Sequence, residues 1–269
     1  MMKNKFLILV LILASMVVSC RKERRDTLGA SISTDNSTAE NLFSDMFKVV
    51  EDVSMNTEGI REDIIGCVDT IIVDTTSNPK TVLIDFGNND CTGYDGRMRK
   101  GKLHITYTGR YREVGTEITI TPENYTVNGN LIEGQKIIEN LGLNANGQMH
   151  YSVVAWGTVT SPSNAWTVTW QAERTRTWVE GQSTPTLLDD VYEITGYGNG
   201  VNRNGIPYSS TISQALRAEI GCPWIVSGSI TIEPEPEEYS TRYIDFGDGS
   251  CNSAFTVTVN GQEYELGSD

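Results

Sequence analysis

Trp166-Thr167-Val168-Thr169-Trp170-Gln171-Ala172-Glu173-Arg174-Thr175-Arg176-Thr177-Trp178 decides the fold class. Trp166, Val168, Trp170, Ala172, Arg174, Arg176 and Trp178 share one parity, while the threonines, Gln171 and Glu173 take the other. Successive side chains of a strand point to opposite faces, so this is a half-buried strand whose first face turns from apolar to cationic. The run is longer than an ordinary strand, which predicts strong twist, a bulge or a bend.

The same period of two recurs on either side. Leu103, Ile105, Tyr107 and Tyr111 alternate with polar residues, and Ile118 and Ile120 alternate with Glu117, Thr119 and Thr121. Asn-Gly pairs at 128–129, 146–147, 199–200, 204–205 and 260–261 supply the positive φ that tight hairpins need. No helical stretch long enough for a crossover separates these segments. The reading is mainly β: an antiparallel meander forming a sandwich or a strongly twisted extended sheet, with one N-terminal amphipathic helix. That helix is placed at about 38–56, capped by Ser37 with Glu40 and packed through Leu42, Phe43, Met46, Phe47, Val49, Val50 and Val53. Glu40, Asp45, Glu51 and Asp52 form its polar face.

The chain contains an internal duplication, about 60–110 and 215–262. Ile65-Gly66-Cys67 precedes Leu83-Ile84-Asp85-Phe86-Gly87 and Cys91; Ile220-Gly221-Cys222 precedes Tyr243-Ile244-Asp245-Phe246-Gly247 and Cys251. Four cysteines allow three pairings, and the repeat favours Cys67 with Cys91 and Cys222 with Cys251, each copy closing its own loop. Each bridge would contribute about 3 to 4 kcal/mol in the chain-entropy model.

The fifth cysteine, Cys20, ends a different kind of segment. Lys3 and Lys5, the apolar run Phe6 to Val18 and the small Ser19 have the form of a cleaved targeting signal too short to span a bilayer. The ending Val17-Val18-Ser19-Cys20 resembles the lipobox of bacterial lipoproteins. That resemblance implies a signal peptide over 1–19, thioether lipidation of Cys20 and acylation of the new N-terminus with a fatty acid such as palmitate. Residues 20–37 then read as lipidated cysteine and flexible tether, and 38–269 as a single β-rich domain. The lipid anchor makes the membrane a partner and the compartment oxidising, where thiols pair.

Twenty-one basic against 35 acidic residues give a net charge of −14, which becomes −16 when Lys3 and Lys5 are removed. Such a field repels phosphate backbones and argues against nucleic acid as a partner. The basic cluster Arg21-Lys22-Glu23-Arg24-Arg25 reads as lying on anionic head groups or as a solvated spacer.

Catalytic motifs are not found: the chain has no G-x-S-x-G and no H-E-x-x-H, and His104 and His150 sit in strand-like segments. No catalytic or metal residue is therefore assigned. Asn88, Asn89, Asp90, Asp95, Asp245 and Asp248 are hard oxygen donors suited to calcium, but they do not follow EF-hand spacing and read otherwise as acidic turns. The aromatic residues are the better lead. Trp166, Trp170 and Trp178 with Arg174 and Arg176 would either stack on a glycan or small ligand or pack a core with cation–π contacts.

Asp85-Phe86-Gly87, Ile105 to Tyr111, Glu173 to Gly181, Gly198 to Gly205 and Trp224-Ile225-Val226-Ser227-Gly228 resemble a family of uncharacterised Bacteroidota lipoproteins over roughly 60–265. The resemblance implies lipoprotein status and a β-rich fold, and supplies no catalytic residue. Exported surface lipoproteins of that phylum carry acidic residues after the lipidated cysteine, whereas Arg21 to Arg25 is mostly basic. The expectation is a periplasm-facing anchor at the outer membrane. The function expected is a non-catalytic structural or protein-interaction module of the cell envelope, working with envelope proteins or glycans. Carbohydrate or small-ligand binding through the strand aromatics is the alternative, and an unrecognised hydrolase stands behind both.

Overall fold

The computed structural model describes residues 31–50 and 66–267, apart from 185, 187, 236 and 237. Cys20, the expected signal peptide at 1–19 and the basic cluster lie outside the described residues, as does the helix reading beyond residue 50.

One helix, α1, covers residues 31–50. The strands are β1 (Thr70–Asp74), β2 (Lys80–Asp85), β3 (Cys91–Thr92), β4 (Met98–Tyr107) and β5 (Glu117–Val127). They continue with β6 (Asn130–Leu143), β7 (Met149–Thr160), β8 (Thr167–Glu180), β9 (Val191–Val201) and β10 (Pro207–Glu219). The last are β11 (Ile225–Pro234), β12 (Arg242–Asp248), β13 (Phe255–Val259) and β14 (Gln262–Leu266). All belong to one antiparallel sheet in chain order from β1 to β14, open at both ends, with only the short β3 set aside on β4.

The alternation that predicts β8 is the alternation observed. Val168, Trp170, Ala172, Arg174, Arg176 and Trp178 are buried, and the intervening residues face outward. A break in register against β9 falls between Trp178 and Glu180, at the end of the long strand. On the outer face one row runs through Thr106, Thr119, Ile137, Val154, Glu173, Tyr197, Thr211, Thr231 and Tyr243, each paired with the next. Threonine suits such a face because its β-branch favours the strand while its hydroxyl meets water.

The inner face wraps around α1. Ser31, Thr34, Thr38, Asn41 and Ser44, spaced three or four apart, are its half-buried positions, and every other residue of α1 is buried. Gly134 on β6 faces Gly157 on β7, where a Cβ on either would sit within 2.0 Å of a neighbouring carbonyl oxygen. Only a glycine pair permits that approach, and it lets the strands bend over the helix. One apolar core gathers Ala39 to Val50 against β2 and β4 to β9; a second gathers Ile32 against β9 to β13. α1 thus ties both cores together.

Two expectations are corrected here. The helix begins no later than residue 31, so Ser37 is an interior helical residue and not the cap, and residues 31–37 are helix, buried except for the half-buried Ser31 and Thr34, not tether. An apolar-period search misses this turn because Ser33, Asp35, Asn36 and Ser37 are buried although polar. The Asn-Gly pairs also divide. Asn128-Gly129 and Asn260-Gly261 have positive φ at both residues, as a type I′ turn requires. At 146–147 and 204–205 only the glycine does. Asn199-Gly200 is not a turn: it lies inside β9, where a Cβ on Gly200 would meet the Thr169 oxygen at 2.4 Å. No described helix is long and apolar enough to cross a membrane.

Candidate functional site

Asp35, Glu40 and Asp45 are five residues apart on α1. At about 100° per residue each step turns about 140°, so the three carboxylates point to three sides of the helix. Three separate parts of the sheet answer them. Arg203, in the β9–β10 loop, donates Nε–H to Asp35 Oδ1 at 2.7 Å and its backbone N–H to Oδ2 at 2.9 Å. Arg174 on β8 donates to Glu40 Oε2 at 2.7 Å. Arg97, just before β4, and Arg99 on β4 donate to Asp45 Oδ1 at 2.7 and 2.6 Å, and the Tyr125 hydroxyl donates to Oδ2 at 3.2 Å. Burial alone would raise the Asp45 pKa, but Arg97 and Arg99 outweigh it and hold the carboxyl at about 2. Burial, aided by the Asp45 charge, pushes the Tyr125 phenol well up.

Two lysines are enclosed with them. Lys48 donates to the Glu219 carbonyl at 3.0 Å and to the Cys222 carbonyl; Lys136 on β6 donates to the Phe43 carbonyl at 2.8 Å. Burial, with nearby arginines adding to it, pushes both down to about 7.

The aromatic and cationic row of β8 is part of this interior. Trp170 is 4% exposed and stacks on Phe43 at 4.9 Å, and Trp178 is 1% exposed and stacks on Tyr192 at 5.5 Å. Arg176 lies between the Phe47 and Tyr192 rings, 3.6 Å from each centroid. Arg174 lies 5.9 Å over Trp170, while Trp178 receives Arg112, not Arg176, at 4.4 Å. Only Trp166 reaches partial exposure, with Arg203 at 4.1 Å. These residues therefore present no flat open row to a glycan, because α1 covers them.

The bridges are Cys67–Cys91 and Cys222–Cys251, the pairing the repeat favours. In both copies the aspartate before Phe-Gly accepts the glycine N–H at 2.8 Å, Asp85 from Gly87 and Asp245 from Gly247. Asp248 is likewise occupied by Ser250, and Asp95 by Arg97 and Arg99. Among the described residues no group of three His, Cys, Asp or Glu could hold a metal ion. His104 contacts Glu123 at 2.6 Å on the outer face, and His150 the Gly142 carbonyl at 2.9 Å.

Among the described residues, one open region lies along the half-buried stripe of α1. There a cleft of about 420 Å³ forms where the β4–β6 corner and the β13–β14 end of the sheet face each other across the helix. Its floor carries Thr34, Ser37, Thr38 and Asn41; its walls carry Asn128 and Asn130 on one side, Ser253 and Phe255 on the other, with Trp224 from the loop before β11. Arg97 lies 5.2 Å over the Trp224 ring while bound to Asp45 and to the Pro223 carbonyl. Sequence reasoning names Trp224 only within the motif Trp224 to Gly228 and passes over Arg97, Asn130 and Ser253, because six separate segments meet here. The acids at 35, 40 and 45 were the available signal, since their spacing puts carboxylates on three sides of one helix. No family model, curated protein or solved structure matches the chain.

Proposed function

We propose that this chain is a lipid-anchored protein of the bacterial cell envelope, held at the outer membrane through Cys20 with its body facing the periplasm, and that it works as a non-catalytic structural or protein-interaction module. The observation that supports this best is the commitment of inward-facing charge to α1. Arg97, Arg99, Arg174 and Arg203 are engaged by Asp45, Glu40 and Asp35, so groups capable of acid, base or anion chemistry are used to hold the helix. The likeness of Val17 to Cys20 to a lipobox supports the address. The eleven residue steps from Cys20 to Ser31 reach at most about 40 Å, which would keep the body close to the bilayer.

Phase partitioning tests the anchor: the native chain should enter the detergent phase and Cys20→Ala the aqueous phase. A Cys20→Ala protein that still partitions into detergent would remove the anchor from this reading. For the interaction role, a photoreactive residue at Tyr197 or Tyr243, exposed on the outer face, should give a discrete adduct in intact envelopes. No adduct from either position would count against it.

A further inference from the structure

We propose that the cleft over α1 is a binding site for a neutral saccharide, stacked on Trp224 and hydrogen-bonded by the hydroxyl and amide stripe of the helix. This goes beyond the anchoring and module reading, which assigns the cleft no ligand.

The lining is chemically selective. In a chain with 35 acidic residues, no carboxylate among the described residues lines the cleft, and the one cation among them, Arg97, is held by Asp45 and Pro223. The other polar groups are uncharged hydroxyls and amides, set against the rings of Trp224 and Phe255. A sugar ring has that same division, with C–H faces for an aromatic surface and hydroxyls around its edge, and carries no charge needing a partner. The volume lies within the range of small-ligand sites.

Ser37 points to a ligand independently. It is 2% exposed, it lines the cleft, and its Oγ has no hydrogen-bond partner among the described residues. A helix that served only to fill the sheet would gain by carrying alanine there, since a buried hydroxyl without a partner is costly. A ligand hydroxyl supplies the missing bond. Asn41, four residues further along, extends the same row, Thr38 lines the cleft beside it, and Asn130, whose Nδ2–H donates to the Val127 carbonyl at 3.3 Å, lines it from the β5–β6 hairpin.

The test uses the full chain in detergent micelles, titrated with cellobiose, diacetylchitobiose, maltose and lactose while the indole N–H signals are followed by NMR, with Trp224→Phe assigning the Trp224 signal. At least one sugar should shift that signal saturably. Ser37→Ala should weaken this sugar on the order of tenfold while raising the melting temperature, because the hydroxyl serves the ligand and not the fold. Asn130→Ala, on a hairpin rather than the helix, should weaken it without unfolding the chain. The proposal is overturned if no sugar shifts Trp224, if Ser37→Ala binds as well as the native chain, or if Ser37→Ala lowers the melting temperature. Cys20→Ala should bind sugar unchanged, so loss of the anchor and loss of the site are separate results.

Discussion

The two faces of β8 are made from one run of residues and obey different physics. Inward, Arg174 meets Glu40 at 2.7 Å with both side chains nearly dry. Outward, its neighbour Glu173 accepts from the Tyr197 hydroxyl at 2.5 Å in water. In contact distance the two pairs are alike. They differ in solvent, and solvent decides what each contributes: breaking a desolvated pair strands a charge, whereas an exposed partner is rehydrated at once. Hydrogen-bond geometry alone would not rank them.

The sharpest way to break this contrast is at Asp45. Asp45→Ala leaves Arg97, Arg99 and the Tyr125 hydroxyl without their shared acceptor, and should cost about 3–5 kcal/mol in denaturant unfolding. Glu173→Ala should stay within about 0.5 kcal/mol. Equal losses would mean that the inner face is as wet as the outer.

Removal of a bridge comes next. Cys222→Ala with Cys251→Ala should cost about 2–4 kcal/mol. Cys67→Ala with Cys91→Ala should cost less, because the Cys222 and Pro223 carbonyls receive Lys48 and Arg97 while the first loop borders the exposed edge strand β1. A larger loss from the first pair would reverse that ranking.

Acid gives a smaller and graded effect. Asp45 has a folded pKa of about 2 against 3.8 unfolded, so its contribution is complete above 3.8 and is lost as pH falls towards 2, about 2 kcal/mol in all. Lys48 and Lys136 act in another window. Their folded values near 7 lie below the ordinary 10.5, so the unfolded chain binds more protons between these limits and stability should rise with pH from 7 to 10. Melting curves across both windows check the signs; Asp45→Asn should flatten the acid limb and, by removing a negative charge that raises Lys48 and Lys136, move the alkaline limb to lower pH. The smallest effect expected is Tyr197→Phe, which removes the outer bond to Glu173 and should change stability by less than about 0.5 kcal/mol.

Much of the sheet was legible in the sequence because parity is a local property. The alternation through Trp166 to Trp178 gave the strand and its two faces, and the repeated spacing gave both bridges. The sense of the inner face was harder. Tryptophans and arginines of one parity suit a core or a binding row, and what decides is α1, placed more than a hundred residues away in the chain. The turn containing Asp35 and Ser37 was lost for a related reason: polar residues there are buried by partners that no local pattern reveals. The cleft was illegible altogether, since Ser37, Asn130, Trp224 and Phe255 become neighbours only once the sheet has curled.

The spacing of Asp35, Glu40 and Asp45 has a mechanical consequence. With the anchor proposed at Cys20, α1 is the first described element after it, so a pull on the lipid reaches the body through the helix. Its three carboxylates are gripped from three directions, at the β9–β10 loop, at β8 and at β4, so the force is shared around the circumference instead of unzipping one seam. Withdrawing the helix would have to shear all three grips and open both cores together, which makes this end of the chain a tension-bearing rod rather than a leash.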